Sequence, residues 1–228
     1  MKSLLATAGQ LLLALLLYAL GIAVIGLALF PGAVLGYSAW SGTAASSVLV
    51  RLFLLSVAVA AAYFLYGFCL IMIVAALRVL LGLRLGEGEY SMFSVGSVKW
   101  ACANALQLVV TATFMDFVLL TPFAPLFFHL MGAKVGSNVQ INSRYCADLS
   151  LLEIGDDSVI GGHATVIGHS FERGRLILKK VKIGRKAVIG LNAVVLPGAE
   201  IGEGATVAAG AVVPKNTTVA PHTTYFGT

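Results

Sequence analysis

A six-residue repeat governs the C-terminal part of the chain. From Ile183 onward an aliphatic residue returns at every sixth position, and a small residue stands four positions after each one. The aliphatic series is Ile183, Ile189, Val195, Ile201, Val207, Val213 and Val219, and the small series is Ala187, Ala193, Ala199, Ala205, Ala211, Thr217 and Thr223. A period of six fits neither an amphipathic helix nor an alternating strand, and it is typical of a parallel β-helix that buries an aliphatic column. The sequence therefore predicts an all-β parallel β-helix over residues 133–228.

The repeat is interrupted once, between Val166 and Ile183, after an earlier tract that keeps the same period. An interruption in a regular scaffold predicts a loop, and loops often carry function. His169 begins this segment, and its imidazole is suited to accept a proton near neutral pH. Glu172, three residues on, could fix the tautomer of that imidazole. The alternative is a surface histidine beside a solvated loop.

The N-terminal part has the composition of a membrane domain. The chain is 59% hydrophobic and 11% charged, whereas a soluble domain is typically about 25% charged. Two uncharged runs long enough to cross a bilayer predict spans at about residues 8–31 and 52–78. A third apolar stretch, about 98–130, contains Asp116 and two prolines, which favour a broken or re-entrant segment. Residues 1–132 are therefore predicted to form an α-helical membrane domain.

The basic residues of the membrane domain predict its orientation. Arg78, Arg84 and Lys99 crowd the connection after the second span, and Lys2 precedes the first. Basic loops face the cytoplasm. The expected location is a bacterial-type inner membrane, with several spans and the β-helix on the cytoplasmic side.

The stretch VKIGRKAVIGLNAVVLPGAEIGEGATVAAGAVVPKN resembles the left-handed β-helix of the hexapeptide-repeat acyltransferases. More narrowly, PFAPLFFHLMGAKVG, DLSLLEIGDDSVI and GHSFERGRL are similar to the membrane-linked C-terminal domains of ε-poly-lysine synthetase and related peptide synthetases. The resemblance implies a left-handed β-helix that assembles as a homotrimer. It also implies acyl transfer to an amine or hydroxyl acceptor from acyl-coenzyme A or from a phosphopantetheine-linked thioester.

The resemblance also implies site residues. His169 matches the general base of the acyltransferases, and Asp148 lies in the synthetase-like Asp-Leu pattern, where it would help bind an amine or orient His169. The residues assigned to cofactor binding are Lys182, Gly190, Asn192, Ala208 and Lys215. Of these, Lys215 matches the lysine near the coenzyme A phosphates. Gly190, Asn192 and Ala208 match the pantetheine groove. No metal is expected.

Lys182 belongs to a basic cluster that runs through residues 173–186 without an acid. Such a cluster attracts phosphates, an acidic carrier protein or anionic headgroups. The alternative is a solvated positive face. Nucleic acid is not an expected partner, because no recognition fold accompanies the charge.

Three other functions stay open at this point. The first is condensation of peptide bonds, fed by a separate carrier protein. The second is a non-catalytic, membrane-tethered trimeric scaffold. The third is a γ-class carbonic anhydrase, which the spacing disfavours: His163 and His169 are separated by five residues rather than four, and catalytic zinc usually has three protein ligands.

Overall fold

The computed structural model describes residues 2–92 and 94–227, with side chains from residue 7 onward. It divides into two compact units, residues 1–77 and 78–228. The sequence expectation places a boundary near residue 132 by composition. By contacts, the helices between residues 95 and 130 group instead with the β-helix.

The first unit consists of helix α1, Lys2–Gly42, and most of helix α2, Val48–Leu80. Both helices are long and apolar enough to cross a membrane, over Thr7–Gly42 and Val48–Leu80. They pack closely where Gly32 meets Ala62, since a Cβ on Gly32 would lie 3.0 Å from the Cβ of Ala62. Both helices extend beyond the spans predicted from the sequence.

The third apolar stretch is broken into short elements. Helix α3 covers Val95–Thr113, a 3-10 turn covers Met115–Phe117, and helix α4 covers Phe123–Leu130. Pro122 caps α4 at its N-terminus, where the missing N–H of proline is tolerated. Asp116, in the turn, forms an ion pair of 2.7 Å with Arg144 of the β-helix domain.

The remaining chain winds into a parallel β-helix with three sheets. Its strands are β2 Lys134–Val135, β3 Gln140–Ile141, β4 Leu152–Ile154, β5 Val159–Ile160, β6 Thr165–Val166, β9 Val181–Ile183, β10 Val188–Ile189, β11 Val194–Val195, β12 Glu200–Ile201, β13 Thr206–Val207, β14 Val212–Val213, β15 Thr218–Val219 and β16 Thr224–Tyr225. The sheets have the strand orders β16-β13-β10-β5-β3, β14-β11-β6 and β15-β12-β9-β4-β2. Each strand is short because the chain turns a corner every six residues.

The predicted period sets the packing of this domain. Val188 pairs with Thr206, 18 residues on, so three hexapeptides make one coil. The aliphatic residues of the repeat point inward and are almost fully buried, and the alanines of the small series fill the corners with equally little exposure. The core is therefore the stacked column that the sequence predicts.

The interruption of the repeat, predicted as a loop, is a β-hairpin. Strand β7, His169–Glu172, pairs with strand β8, Arg175–Leu178, in an antiparallel register. Strand β1, Gly88–Ser91, pairs with the other edge of β8 and completes a three-stranded sheet. The insertion lengthens its coil to 29 residues, as the pairing of Val159 with Val188 shows.

Candidate active site

Asp148 is the buried centre of the candidate site. It lies between β3 and β4, immediately before a 3-10 turn at Leu149–Leu151, and its backbone is left-handed at φ 56° and ψ 43°. Aspartate is one of the few side chains that adopt this conformation readily. The turn directs the carboxylate into the protein, and its exposed fraction is 0%.

Four hydrogen-bond donors surround this carboxylate. His169 Nδ1 lies 2.6 Å from Oδ2, and the backbone N–H of Gly168 donates to the same oxygen at 3.0 Å. Trp100 Nε1 donates to Oδ1 at 2.7 Å, and Asn104 Nδ2 donates to Oδ1 at 3.1 Å. A buried carboxylate is strongly destabilising unless hydrogen bonds of this kind replace water. The site is therefore built to hold an ionised Asp148.

The contact with Asp148 fixes the tautomer of His169. An ionised carboxylate only accepts hydrogen bonds, so Nδ1 carries the proton and Nε2 keeps a free lone pair. Among the described residues, none forms a hydrogen bond with Nε2. The imidazole is 23% exposed, and its ring packs against Trp100 at 5.0 Å and Phe171 at 5.9 Å between centroids. This geometry suits a general base.

Glu172 lies on the same strand as His169 but has different partners. Its Oε1 accepts hydrogen bonds from Lys215 Nζ at 2.6 Å and from Ser170 Oγ at 3.0 Å. The hydrogen bond from Lys215, followed by that from Ser170, lowers the pKa of Glu172. The carboxylate that holds His169 is thus that of Asp148, and Glu172 connects the hairpin to Lys215 on a later coil.

Three of the predicted cofactor residues lie close together. Gly190 and Asn192 follow β10, and Ala208 takes the place of Gly190 one coil later, as the pairing of Ile189 with Val207 requires. Asn192 occupies a left-handed corner at φ 56°. Lys182 lies on a different sheet, where it donates to Glu200 at 2.7 Å, and that hydrogen bond raises the pKa of Lys182.

A cleft of about 760 Å³ lies beside the site. One wall is a face of α3 that includes Trp100, Asn104 and Leu108. The other is the coil segment 144–147 with Thr165. The cleft is mostly apolar and meets the candidate site at the two α3 side chains that bind Asp148.

Histidine in this domain is not arranged for metal binding. Within residues 2–92 and 94–227, no group of three histidine, cysteine or acidic side chains could hold a metal ion. His163 occupies a left-handed corner at φ 56°, and its ring lies 5.7 Å from that of Tyr145.

Trp100 and Asn104 are site residues that sequence reasoning missed. Both lie on α3, within the stretch that was expected to be a broken membrane segment. A signal was present, because Trp100, Asn104 and Gln107 are spaced by four and three residues and therefore share one helix face. What the sequence does not show is that this face packs on Asp148, which is 48 residues away from Trp100.

Comparison with known proteins supports the repeat architecture. Residues 180–215 match the family model described as bacterial transferase hexapeptide (six repeats). No curated protein matches the chain. The match covers the coils that follow the hairpin, and it supports the left-handed winding expected from the sequence.

Solved structures with a similar fold include three acetyltransferases. A hexapeptide-repeat containing acetyltransferase from Vibrio cholerae is 23% identical with a TM-score of 0.40, over 68% of this chain and 85% of that one. Serine acetyltransferase from Vibrio cholerae is 18% identical with a TM-score of 0.42, over 71% and 50%. Maltose O-acetyltransferase from Clostridium difficile is 20% identical with a TM-score of 0.43, over 60% and 89%.

Proposed function

We propose that this protein is a membrane-anchored acyltransferase that moves an acyl group from a thioester to an amine or hydroxyl, with His169 as the general base. The observation that carries the proposal is the contact between His169 and Asp148. A buried carboxylate holds Nδ1 at 2.6 Å, and Nε2 is left as a proton acceptor on a partly exposed ring. The hexapeptide match at residues 180–215 supports the same reaction class.

The proposed reaction has two steps. Nε2 of His169 takes the proton from the acceptor as its oxygen or nitrogen attacks the thioester carbonyl. Asp148 then stabilises the imidazolium through Nδ1. The tetrahedral intermediate collapses when the carbon–sulfur bond breaks, and the imidazolium returns its proton to the leaving thiolate. The products are the acylated acceptor and a free thiol.

The proposed donor is acyl-coenzyme A or a phosphopantetheine thioester on an acidic carrier protein. Gly190, Asn192 and Ala208 would line the arm of the donor, and Lys215 would contact its phosphates. Lys182 would add positive charge nearby. If a carrier protein supplies the donor, the reaction extends to peptide-bond condensation.

The two apolar helices support the proposed setting. The protein would lie in a bacterial-type inner membrane, with the β-helix on the cytoplasmic side and three chains assembled as a cyclic homotrimer. A non-catalytic scaffold is the competing function, and it predicts no dependence on His169.

The test is release of thiol from acetyl-coenzyme A by the detergent-purified protein, measured with a thiol-reactive dye against a panel of small amines and alcohols. His169→Gln is expected to lower the rate by about 100-fold or more, the range typical of a lost general base. Asp148→Asn is expected to lower the rate as well, because an amide can hold the wrong tautomer.

The matched control is His222→Asn, because His222 is an exposed histidine at a left-handed corner with φ 55°. Its rate should equal that of the wild type. A rate that survives in His169→Gln contradicts the proposal. If the wild type releases no thiol from acetyl-coenzyme A, the same comparison is made with an acylated carrier protein. Inactivity with both donors would favour the non-catalytic scaffold.

A further inference from the structure

Helix α3 directs three polar side chains at one short segment of the β-helix. Trp100 and Asn104 bind the carboxylate of Asp148, and Gln107 donates from Nε2 to the carbonyl oxygen of Cys146 at 2.5 Å. Residues spaced by four and three positions share a helix face. Gln107 is buried, and Trp100 and Asn104 are half-buried. Helix α3 therefore holds Asp148 by two hydrogen bonds and Cys146 by one.

We infer that Trp100 and Asn104 are positioning residues for the base, acting through Asp148. This inference rests on the proposed function. Their two N–H groups converge on Oδ1, at 2.7 and 3.1 Å, and so fix the plane of the carboxylate. With Oδ1 held, Oδ2 is directed at the N–H of Gly168 and at Nδ1 of His169. The imidazole is held in turn against the ring of Trp100.

The two donors also adjust the charge that His169 experiences. Hydrogen bonds to an ionised carboxylate stabilise it and make it less basic. If one donor is removed, the negative charge of Asp148 is shared among fewer partners and attracts the imidazolium more strongly. The pKa of His169 should therefore rise, and a larger fraction of the base should be protonated at a given pH.

The groups around His169 allow a change in its titration to be attributed to Asp148. Asp148 is the titratable group in contact with the imidazole, α3 faces it with Trp100, and β8 pairs Leu178 opposite it. On the hairpin side, Glu172 forms an ion pair with Lys215 and has Lys179 nearby, and Arg175 forms an ion pair with Glu89. A change of the His169 titration in α3 variants is thus expected to arise through Asp148.

The experiment is an NMR titration of the full-length protein in detergent micelles, with histidine labelled with ¹³C at Cε1. The chain has four histidines, and the signal lost in His169→Gln is that of His169. Trp100→Phe keeps a ring and removes the donor, and Asn104→Leu removes the amide. In each, the titration midpoint of His169 is expected to rise by about half a pH unit. This is a fraction of the roughly one to two units that a hydrogen bond to a charged group is worth, because the effect reaches His169 through Asp148.

Gln107→Met is the matched control, because Gln107 lies on the same face of α3 and binds the same segment without touching the carboxylate. Its midpoint should stay at the wild-type value, even if its melting temperature falls. Unchanged midpoints in both Trp100→Phe and Asn104→Leu overturn the inference. An equal rise in Gln107→Met also overturns it, since packing alone would then be the cause. If one donor variant does not fold, the other decides.

The titration needs no substrate, so it separates the two proposals. A raised midpoint in a protein that transfers no acyl group supports the positioning of His169 and rejects the acyltransferase. Where thiol release is measurable, Trp100→Phe and Asn104→Leu are each expected to lower kcat by about 10-fold with little change in KM. Rates equal to the wild type, with unchanged midpoints, reject the positioning role alone.

Discussion

The absence of a side chain at Gly190 has two possible reasons, the proposed pantetheine groove and the packing of the next coil. The resemblance assigns this glycine to the pantetheine groove, but the coil above also requires it. A Cβ on Gly190 would lie 2.6 Å from the backbone nitrogen of Ala209 and 2.7 Å from the carbonyl oxygen of Val207. Neither atom can move without disturbing the stacked coils, so the absence of a side chain follows from the fold.

Gly190→Ala is therefore expected to destabilise the β-helix by about 1–3 kcal/mol, the usual effect of overpacking. The measurement is the apparent melting temperature, which should fall. Gly174→Asn is the control, because Gly174 sits at the hairpin turn with φ +74°, and a Cβ added there would meet no atom within 4 Å. Asparagine also tolerates that backbone conformation. A Gly190→Ala protein that melts like the wild type contradicts the packing argument.

The sequence predicts the repeating core of the fold better than it predicts the contacts of the candidate site. A strict period identifies the inward residues, such as Ile189 and Val207, because each coil repeats the same local rule. The break in the period identifies the segment that begins at His169. The partners of His169 are not local: Asp148 is 21 residues away, and Trp100 lies on a helix before the β-helix. Periodicity carries no information about which earlier segment packs on a given coil.

The hairpin β7–β8 is connected to a later coil by the ion pair between Glu172 and Lys215. The proposed role of Lys215 at the donor phosphates competes with this ion pair. Because the hydrogen bond from Lys215 lowers the pKa of Glu172, the pair is intact at neutral pH. It is lost as the pH falls through that lowered value.

This competition gives opposite expectations for the two partners. At neutral pH, Lys215→Ala should reduce the rise in melting temperature that coenzyme A produces. Glu172→Gln should preserve or increase it, because the ammonium is freed for phosphate. Both variants lose the same ion pair, so each controls for the other. An equal loss in both variants would assign Lys215 to the hairpin, and no rise in the wild type would favour a carrier protein as donor.

The proposed orientation of the protein depends on how often the chain crosses the membrane. Two crossings return the chain to its starting side. The described helices that meet the criteria for a span are α1 and α2, whereas the stretch predicted at about 98–130 is divided into α3, a turn and α4. An even number of crossings would return the β-helix to the side on which α1 begins, as the proposed orientation requires.

Labelling of one introduced cysteine at a time by a membrane-impermeant maleimide tests this orientation. Cys69 and Cys102 are first replaced by alanine. Cys146 is kept, because burial raises the pKa of its thiol to about 12 and leaves it unreactive. Ala45→Cys, in the exposed connection between α1 and α2, should react from the outside of spheroplasts. Thr224→Cys, exposed on β16, should react only in inverted vesicles.

The two positions control for each other, since one reagent is applied to both faces of one membrane. Reaction of both cysteines from the outside would mean that residues 98–130 also cross, which would place the β-helix away from cytoplasmic coenzyme A and carrier proteins. The acyltransferase proposal would then lose its donor. Reaction of both cysteines only in inverted vesicles would instead show that α1 and α2 do not both span. The basic residues after the second span predict that Ala45→Cys reacts from the outside and Thr224→Cys only in inverted vesicles, with the β-helix on the cytoplasmic side.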